Sequence, residues 1–218
     1  MFLSRGRRFI FVHIPKTGGT SLMLALEARA MKDDLPIGDT PKARQRKRRL
    51  KGIETSGRLW KHSRLSDIYG LATRDEIETF FVFTLVRNPW DRLVSYHAWL
   101  QDQDFNHPAV ALAKRLDFSA FLNAPEIQAS FRASPSASYV TDANGIDRCA
   151  MYLQLEHLGR DIPALEARLG LRLPDVGRVN ASNRNRDWRG YYSDADAGLV
   201  ADIAAADIAR FGYTFDGV

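Results

Sequence analysis

The sequence predicts an α/β fold in which a mostly parallel sheet is flanked by helices. Three apolar runs support this prediction, because each has the length of a buried strand and is followed by a segment with the residue pattern of a helix. They cover residues 9–14, 80–86 and 149–155. The length of 218 residues suits one domain, and we expect a single domain over residues 1–218.

The helices are predicted from uninterrupted apolar periodicity and from capping residues. The clearest one follows the second strand, where Asn88 can cap a helix that has Pro89 in its first position and Asp91 in its first turn. Other helices are expected at residues 20–31, 117–122, 159–169 and 194–211. Residues 1–8 are expected to be loosely held, and residues 133–145 to form an irregular connection.

The composition limits the class of partner and the compartment. A formal charge of +5 and a pI near 9.5 favour an acidic ligand, without deciding among nucleotides, anionic sugars, nucleic acids and lipid headgroups. Cys149 is the single cysteine, which excludes an internal disulfide and a cysteine-based zinc site. Because no apolar run approaches the roughly 20 residues of a membrane-spanning helix, we expect a cytoplasmic protein.

A glycine-containing loop follows the first apolar run and leads into the first helix. Backbone N–H groups at such a helix start have no partner inside the helix and favour a phosphate or sulfate group. Glycine lets the backbone approach the anion closely, and lysine and hydroxyl side chains add donors. The candidate anion-binding residues are Pro15, Lys16, Thr17, Gly18, Gly19, Thr20 and Ser21.

The order of residues in this loop argues against a magnesium-dependent kinase. In a Walker A motif the lysine follows the glycines, whereas Lys16 precedes Gly18 and Gly19. The second strand also ends in Arg87 and not in an acidic residue that could hold magnesium. A P-loop-like nucleotide kinase therefore stays an alternative that the loop disfavours.

The loop instead resembles the 5′-phosphosulfate loop of sulfotransferases. A second stretch, residues 83–96, resembles the 3′-phosphate motif of this family, with Arg87 and Ser95 eight residues apart. The match is closest to the family-2 branch, which includes carbohydrate sulfotransferases and many bacterial homologues. Residues 60–62, Trp-Lys-His, and the loop 180–186 add to the similarity.

The resemblance implies a P-loop-like three-layer fold and an enzyme that uses 3′-phosphoadenosine 5′-phosphosulfate (PAPS) and releases adenosine 3′,5′-bisphosphate (PAP), without a metal. Lys16 would stabilise the leaving group, and His62 would be the general base that activates the acceptor hydroxyl. Arg87 and Ser95 would bind the 3′-phosphate. Arg184 and Arg186 would contact the nucleotide from the late basic loop.

The acceptor is expected to be a hydroxyl compound, in particular a saccharide or glycoconjugate. Residues 32–58, a basic insertion, and residues 101–138, the expected acceptor-side helices, lie outside the resemblance. Seven of the ten residues 42–51 are basic. We interpret this run as a solvated helix or a mobile insertion. Two alternatives are that it makes peripheral contact with a membrane, or that the protein is a non-catalytic polyanion-binding protein. We expect no nucleic acid as a partner.

Overall fold

The computed structural model describes residues 1–176, 184, 185 and 187–217. Within this part of the chain, residues 1–86 and 136–176 form one compact unit. Residues 87–135 with 184, 185 and 187–217 form a second unit. The expectation of a single domain over residues 1–218 stays a prediction.

A five-stranded sheet forms the centre of the first unit. Its strands are β1 (Phe2–Ser4), β2 (Phe9–Val12), β3 (Leu35–Pro36), β4 (Phe81–Val86) and β5 (Cys149–Gln154). The spatial order is β3-β1-β2-β4-β5; β2, β4 and β5 are parallel, and β1 is antiparallel to both of its neighbours. The expected mostly parallel α/β sheet is therefore confirmed.

The helices follow the predicted alternation with the strands. They are α1 (Gly19–Ala28), α2 (Pro41–Arg46), α3 (Arg74–Thr79), α4 (Pro89–Gln101), α5 (Pro108–Arg115), α6 (Phe118–Leu122), α7 (Pro125–Arg132), α8 (Ser136–Val140), α9 (Leu158–Leu169), α10 (Asp194–Ile203) and α11 (Ala205–Phe211). Short 3₁₀ helices cover Lys47–Leu50, Leu65–Ile68, Leu155–His157 and Trp188–Tyr191. Within the described residues, no helix is long and apolar enough to cross a membrane.

One face of the sheet carries the main apolar core of the first unit. The alternation of side chains along a strand places Phe9 and Phe11 of β2 on the same face, next to Phe83 of β4. Leu22 and Leu26 of α1 pack on these rings. Burial of these large side chains fixes the carboxyl end of β2, and with it the start of the glycine loop.

The start of the chain differs from the prediction. The sequence predicts loosely held residues 1–8, but Met1, Phe2, Leu3 and Ser4 are all buried. Phe2 pairs with Phe11 across the antiparallel ladder and its ring stacks on Phe9 at 5.5 Å. The basic residues are confined to the turn between β1 and β2, so their charge does not prevent the preceding residues from entering the core.

Two further predictions about elements are wrong in part. The expected connection at residues 133–145 contains α8, in which Tyr139 and Val140 are buried. The expected helix at residues 194–211 is divided into α10 and α11 by Ala204, whose ψ of 17° ends the first helix. The predicted strand at residues 80–86, which is β4, and the helix α4 are confirmed. The Asn88 cap is confirmed as well, because its side-chain oxygen accepts a hydrogen bond from the Trp90 N–H.

Candidate active site

The loop between β2 and α1 has the backbone of a tight anion-binding turn. Lys16 has a φ of 65° and Gly18 a φ of 82°, both in the left-handed region that side chains beyond glycine rarely adopt. A Cβ atom on Gly18 would lie 2.6 Å from Leu155 Cδ1, and one on Gly19 would overlap the His13 ring. The backbone conformation therefore favours glycine at Gly18, and the His13 ring leaves no room for a side chain at Gly19.

The hydroxyl residues of the loop differ in their surroundings. Thr17 is fully buried and its hydroxyl donates to the Ile14 carbonyl oxygen at 2.9 Å. Its side chain therefore fixes the turn, and Thr17 can reach an anion only through its backbone N–H. Pro15, Lys16, Gly18, Thr20 and Ser21 are partly exposed, as an anion-binding loop requires. The loop thus leaves the N-terminus of the ten-residue helix α1 accessible, which is what binding of an anion there would require.

His62 lies beside the end of β2 in the first unit. Its Nδ1 atom is 2.8 Å from the carbonyl oxygen of His13, and the two imidazole rings are 4.6 Å apart. A carbonyl oxygen only accepts hydrogen bonds, so Nδ1 carries the hydrogen and Nε2 keeps its lone pair. This tautomer leaves Nε2 as the ring atom that can accept a proton.

Burial holds His62 in the neutral form. Loss of solvation lowers the pKa of His62 to about 3, although the hydrogen bond to His13 opposes this shift. A general base acts best with a pKa near the working pH, and His62 departs from this because its ring is mostly enclosed. At neutral pH the ring is uncharged, so Nε2 has a lone pair that can accept a proton. The low pKa makes the ring a weak base, and a negative charge nearby would raise that pKa.

His13 and His97 are both buried, as structural histidines are. His13 is buried, and burial lowers its pKa well below the usual value; a proton on the neighbouring His62 would lower it further. His97 is buried on α4, and its Nε2 atom is 3.4 Å from the Leu116 carbonyl oxygen. Neither ring has a geometry that suggests a direct part in proton transfer.

In the second unit, one carboxylate lies between two of the candidate arginines. The Nε and Nη2 atoms of Arg87 donate to Asp91 Oδ2 at 2.8 and 2.6 Å. Arg184 forms an ion pair with the other oxygen, Oδ1. Asp91 is only 9% exposed, so this three-residue cluster is shielded from water and its ion pairs are stronger than surface pairs.

Ser95 lies one helical turn beyond Asp91 on the same face of α4. The side chain of Ser95 is buried. That Ser95 and Arg87 bind the same phosphate stays a prediction. Arg186, the last of the candidate nucleotide contacts, lies outside the described residues.

Comparisons with known proteins bear on this arrangement. A family model described as the sulfotransferase family matches residues 1–138, which include the glycine loop, His62, Arg87 and Ser95. The chain belongs to the sulfotransferase family. No curated protein sequence matches the chain.

A solved structure extends the likeness beyond the matched residues. The chain resembles mouse sulfotransferase SULT7A1 complexed with PAP, with 17% sequence identity and a TM-score of 0.55. The alignment covers 94% of this chain and 85% of the mouse chain. This likeness confirms the P-loop-like sulfotransferase fold, and family membership makes the chain a transferase.

Asp91 is the member of this sulfotransferase's arginine cluster that sequence reasoning missed. From the sequence, Asp91 is expected only to stabilise α4 as an acidic residue in its first turn. The spacing of Arg87 and Asp91, four residues apart, was the available signal for an ion pair. Its second partner, Arg184, is 93 residues away in sequence and no local pattern indicates that contact.

Proposed function

We propose that this sulfotransferase moves a sulfuryl group from PAPS to a hydroxyl group of a carbohydrate acceptor and releases PAP. The observation that carries the proposal is the loop at the start of α1, where Lys16 precedes Gly18, which has a left-handed backbone, and Gly19, which packs against the His13 ring. The mouse sulfotransferase of similar fold is complexed with PAP, which is the product this reaction would give. We further propose a family-2, bacterial-type enzyme, cytoplasmic and without a metal, from the sequence resemblance and composition alone.

The loop would bind the 5′-phosphosulfate end of the donor through the backbone N–H groups at the start of α1 and the side chains of Thr20 and Ser21. Lys16 would stand at the oxygen that links sulfur to the 5′-phosphate. Negative charge grows on this oxygen as the sulfur–oxygen bond breaks, and a lysine held in place before the reaction stabilises it. The strained backbone of Lys16 supports such a fixed position.

His62 would take the proton from the acceptor hydroxyl as its oxygen forms the new bond to sulfur. The hydrogen bond from Nδ1 to His13 leaves Nε2 to accept that proton. A bound donor carries several negative charges, which would raise the low pKa of the imidazole and make His62 a stronger base in the complex than in the free enzyme. The proton then leaves to solvent when the product departs.

Arg87 and Ser95 would bind the 3′-phosphate, and Arg184 with Arg186 would contact the nucleotide from the late basic loop. Guanidinium groups suit a phosphate because they donate two parallel hydrogen bonds to it. Asp91 would hold Arg87 and Arg184 in orientation before the ligand arrives. This preorganisation lowers the entropy cost of binding.

A thermal-shift experiment tests the nucleotide assignment. PAP at 100 times its Kd should stabilise the protein by about 2.7 kcal/mol, a rise in Tm of roughly 5–10 °C for a chain of this length. The rise should occur without magnesium, and ATP should give a much smaller one. No shift with PAP together with a magnesium-dependent shift with ATP would favour the kinase alternative instead.

A further inference from the structure

The candidate base lies on a stretch of chain without regular secondary structure. His62 is in the turn between Trp60 and Ser63, ahead of the 3₁₀ helix Leu65–Ile68. A turn lacks the repeated hydrogen bonds of a helix or a sheet, so individual contacts must fix its direction. The hydrogen bond from Nδ1 to the His13 carbonyl group holds one atom of the ring, but not the backbone that carries it.

Ser63 supplies the missing contacts from within the core. The residue is fully buried. Its Oγ atom accepts a hydrogen bond from the Trp60 N–H at 2.9 Å. The same atom lies 2.8 Å from the Arg58 carbonyl oxygen and 2.9 Å from the Trp60 carbonyl oxygen, and its proton can be donated to either. The hydroxyl of Ser63 thus ties the residue after His62 to the chain that leads into the turn.

The chain on both sides of this turn is held by the first unit. Before the turn, the Gly57 N–H donates to the Asp67 carbonyl oxygen at 3.0 Å. After it, the Arg64 N–H donates to the Asp67 carboxylate at 2.7 Å, and Leu65 is fully buried. Ser63 therefore connects the turn to a segment that is fixed in the core.

The residue on the other side of His62 gives weaker support. The Nζ atom of Lys61 donates to an Asp39 carboxylate oxygen at 2.8 Å. The Asp39 side chain is 55% exposed, and ion pairs in contact with water contribute little to stability. Of the two neighbours of His62, Ser63 is the one whose loss would leave buried polar groups without a partner.

We propose that Ser63 is a positioning residue of the transfer reaction, whose buried hydroxyl holds the turn of residues 60–63 so that Nε2 of His62 faces the acceptor hydroxyl. This proposal rests on the proposed function. Ser63 acts through His62, because a side chain without exposed surface cannot contact a substrate. A base must lie within about 2.6–3.2 Å of the atom whose proton it takes, and a small rotation of the turn moves Nε2 out of this range.

The kinetics of Ser63→Ala test the proposal. We expect kcat to fall by about 10–100-fold, the usual effect of a misplaced catalytic group. The Kd of PAP should stay within about twofold, because the anion-binding loop does not depend on this hydroxyl. The probe is PAPS, and release of PAP is measured with a mixture of monosaccharides and disaccharides as acceptor. A loss in kcat without a loss in nucleotide affinity distinguishes positioning from general damage.

Ser4→Ala is the matched control. Ser4 is also fully buried, and its Oγ atom accepts a hydrogen bond from the Arg7 N–H at 3.3 Å. It pairs with Phe9, the first residue of β2, whereas His13 follows the last residue of this strand. Both alanine variants should lower Tm by roughly 2–10 °C, because each loses a buried hydroxyl. Only the variant at Ser63 should lose kcat.

The titration of His62 gives a readout that does not depend on turnover. The charged and titratable groups that act on His62 are His13, the Met1 amino group, Lys61 and Asp39. None of them changes in Ser63→Ala, but a looser turn admits water to the ring. The pKa of His62 should therefore rise from about 3 toward its usual value, so that the ring titrates between about pH 5 and 7. NMR of the imidazole protons measures this, with His62→Asn to assign the signal.

The outcomes separate this role from its alternatives. The proposal would be overturned by equal loss of kcat in Ser63→Ala and Ser4→Ala, by a kcat of Ser63→Ala within about twofold of the wild type, or by an unchanged titration of His62. If the alanine variant does not fold, Ser63→Cys replaces it under the same criteria, because a thiol fills this space with a weaker donor. A wild-type protein that shows no PAP-induced rise in Tm and releases no PAP from PAPS would instead overturn the proposed function, whatever the titration of His62 shows.

Discussion

The carbonyl oxygen of His13 accepts a hydrogen bond from Nδ1 of His62 at 2.8 Å, and the His13 ring lies where a side chain on Gly19 would have to be. One residue at the end of β2 thus contacts both the candidate base and the first residue of α1. The end of β2, where the glycine loop begins, therefore also fixes the position and orientation of His62.

Replacing His62 with asparagine should abolish transfer while leaving nucleotide binding intact. The asparagine amide can still donate to the His13 carbonyl group, but it cannot accept the acceptor's proton. We expect kcat to fall by about 10²–10⁴-fold, the usual contribution of a general base. Turnover of the acceptor and the PAP-induced rise in Tm should be measured together. Unchanged turnover would refute the role of His62.

The free energy of unfolding should decrease as the pH is lowered from about 6.5 toward 3. In this interval the unfolded histidine binds a proton, whereas the folded His62, with a pKa of about 3, does not. His62 alone should contribute a slope of at most about 1.4 kcal/mol per pH unit. His13 acts in the same direction, since burial also lowers its pKa.

Urea denaturation of the wild type and of His62→Asn at several pH values measures this slope. Subtracting the pH slope of the variant from that of the wild type removes the contribution of carboxylate groups that titrate in the same pH range. We expect the variant to lose less stability on acidification than the wild type. Parallel stability curves for the two proteins would show that His62 is not held neutral by folding.

Replacing Arg87 with alanine should weaken PAP binding selectively. If Arg87 binds the 3′-phosphate, the Kd of PAP should rise roughly 10–100-fold, the value of a lost charge-assisted hydrogen bond. The Kd of adenosine 5′-monophosphate, which lacks that phosphate, should stay within about twofold. Calorimetric titration with both nucleotides gives the comparison. Equal loss of both affinities would indicate damage to the fold and not loss of a 3′-phosphate contact.

Replacing Glu27 with alanine should destabilise the first unit and loosen the start of α2. The carboxylate accepts hydrogen bonds from Thr40 and from the first turn of α2, so its loss leaves buried donors without a partner. We expect the free energy of unfolding to fall by about 1–3 kcal/mol, measured by urea denaturation. Glu126→Ala, at an exposed position in the first turn of α7, is the control and should change it by less than about 0.5 kcal/mol.

The sequence predicted the features that depend on local patterns. The runs at residues 9–14 and 80–86 are apolar except for His13 and Thr84 because β2 and β4 are buried on both faces, and Asn88 and Pro89 mark the start of α4. Features that depend on distant contacts were missed. β1 is three residues long, too short for a periodic signal, and it is a strand because it pairs with β2 and β3.

The same distinction applies to the candidate site. The loop at Lys16 and the spacing of Arg87 and Ser95 were readable because each lies within one short stretch of chain. The Glu27 cap of α2 and the pairing of Asp91 with Arg184 join residues of different elements, and no pattern within one element indicates them. The low pKa of His62 likewise results from how surrounding elements enclose the ring.

The carboxylate of Asp91 has a consequence for turnover under the proposed function. A nucleotide with several negative charges would bind very tightly if Arg87 and Arg184 had no acidic partner. Release of the product would then limit the rate of turnover. Because Asp91 already neutralises part of the charge of Arg87 and Arg184, departure of the product leaves these side chains with a partner. Under that function the internal acid would lower the affinity for the product and would speed its release.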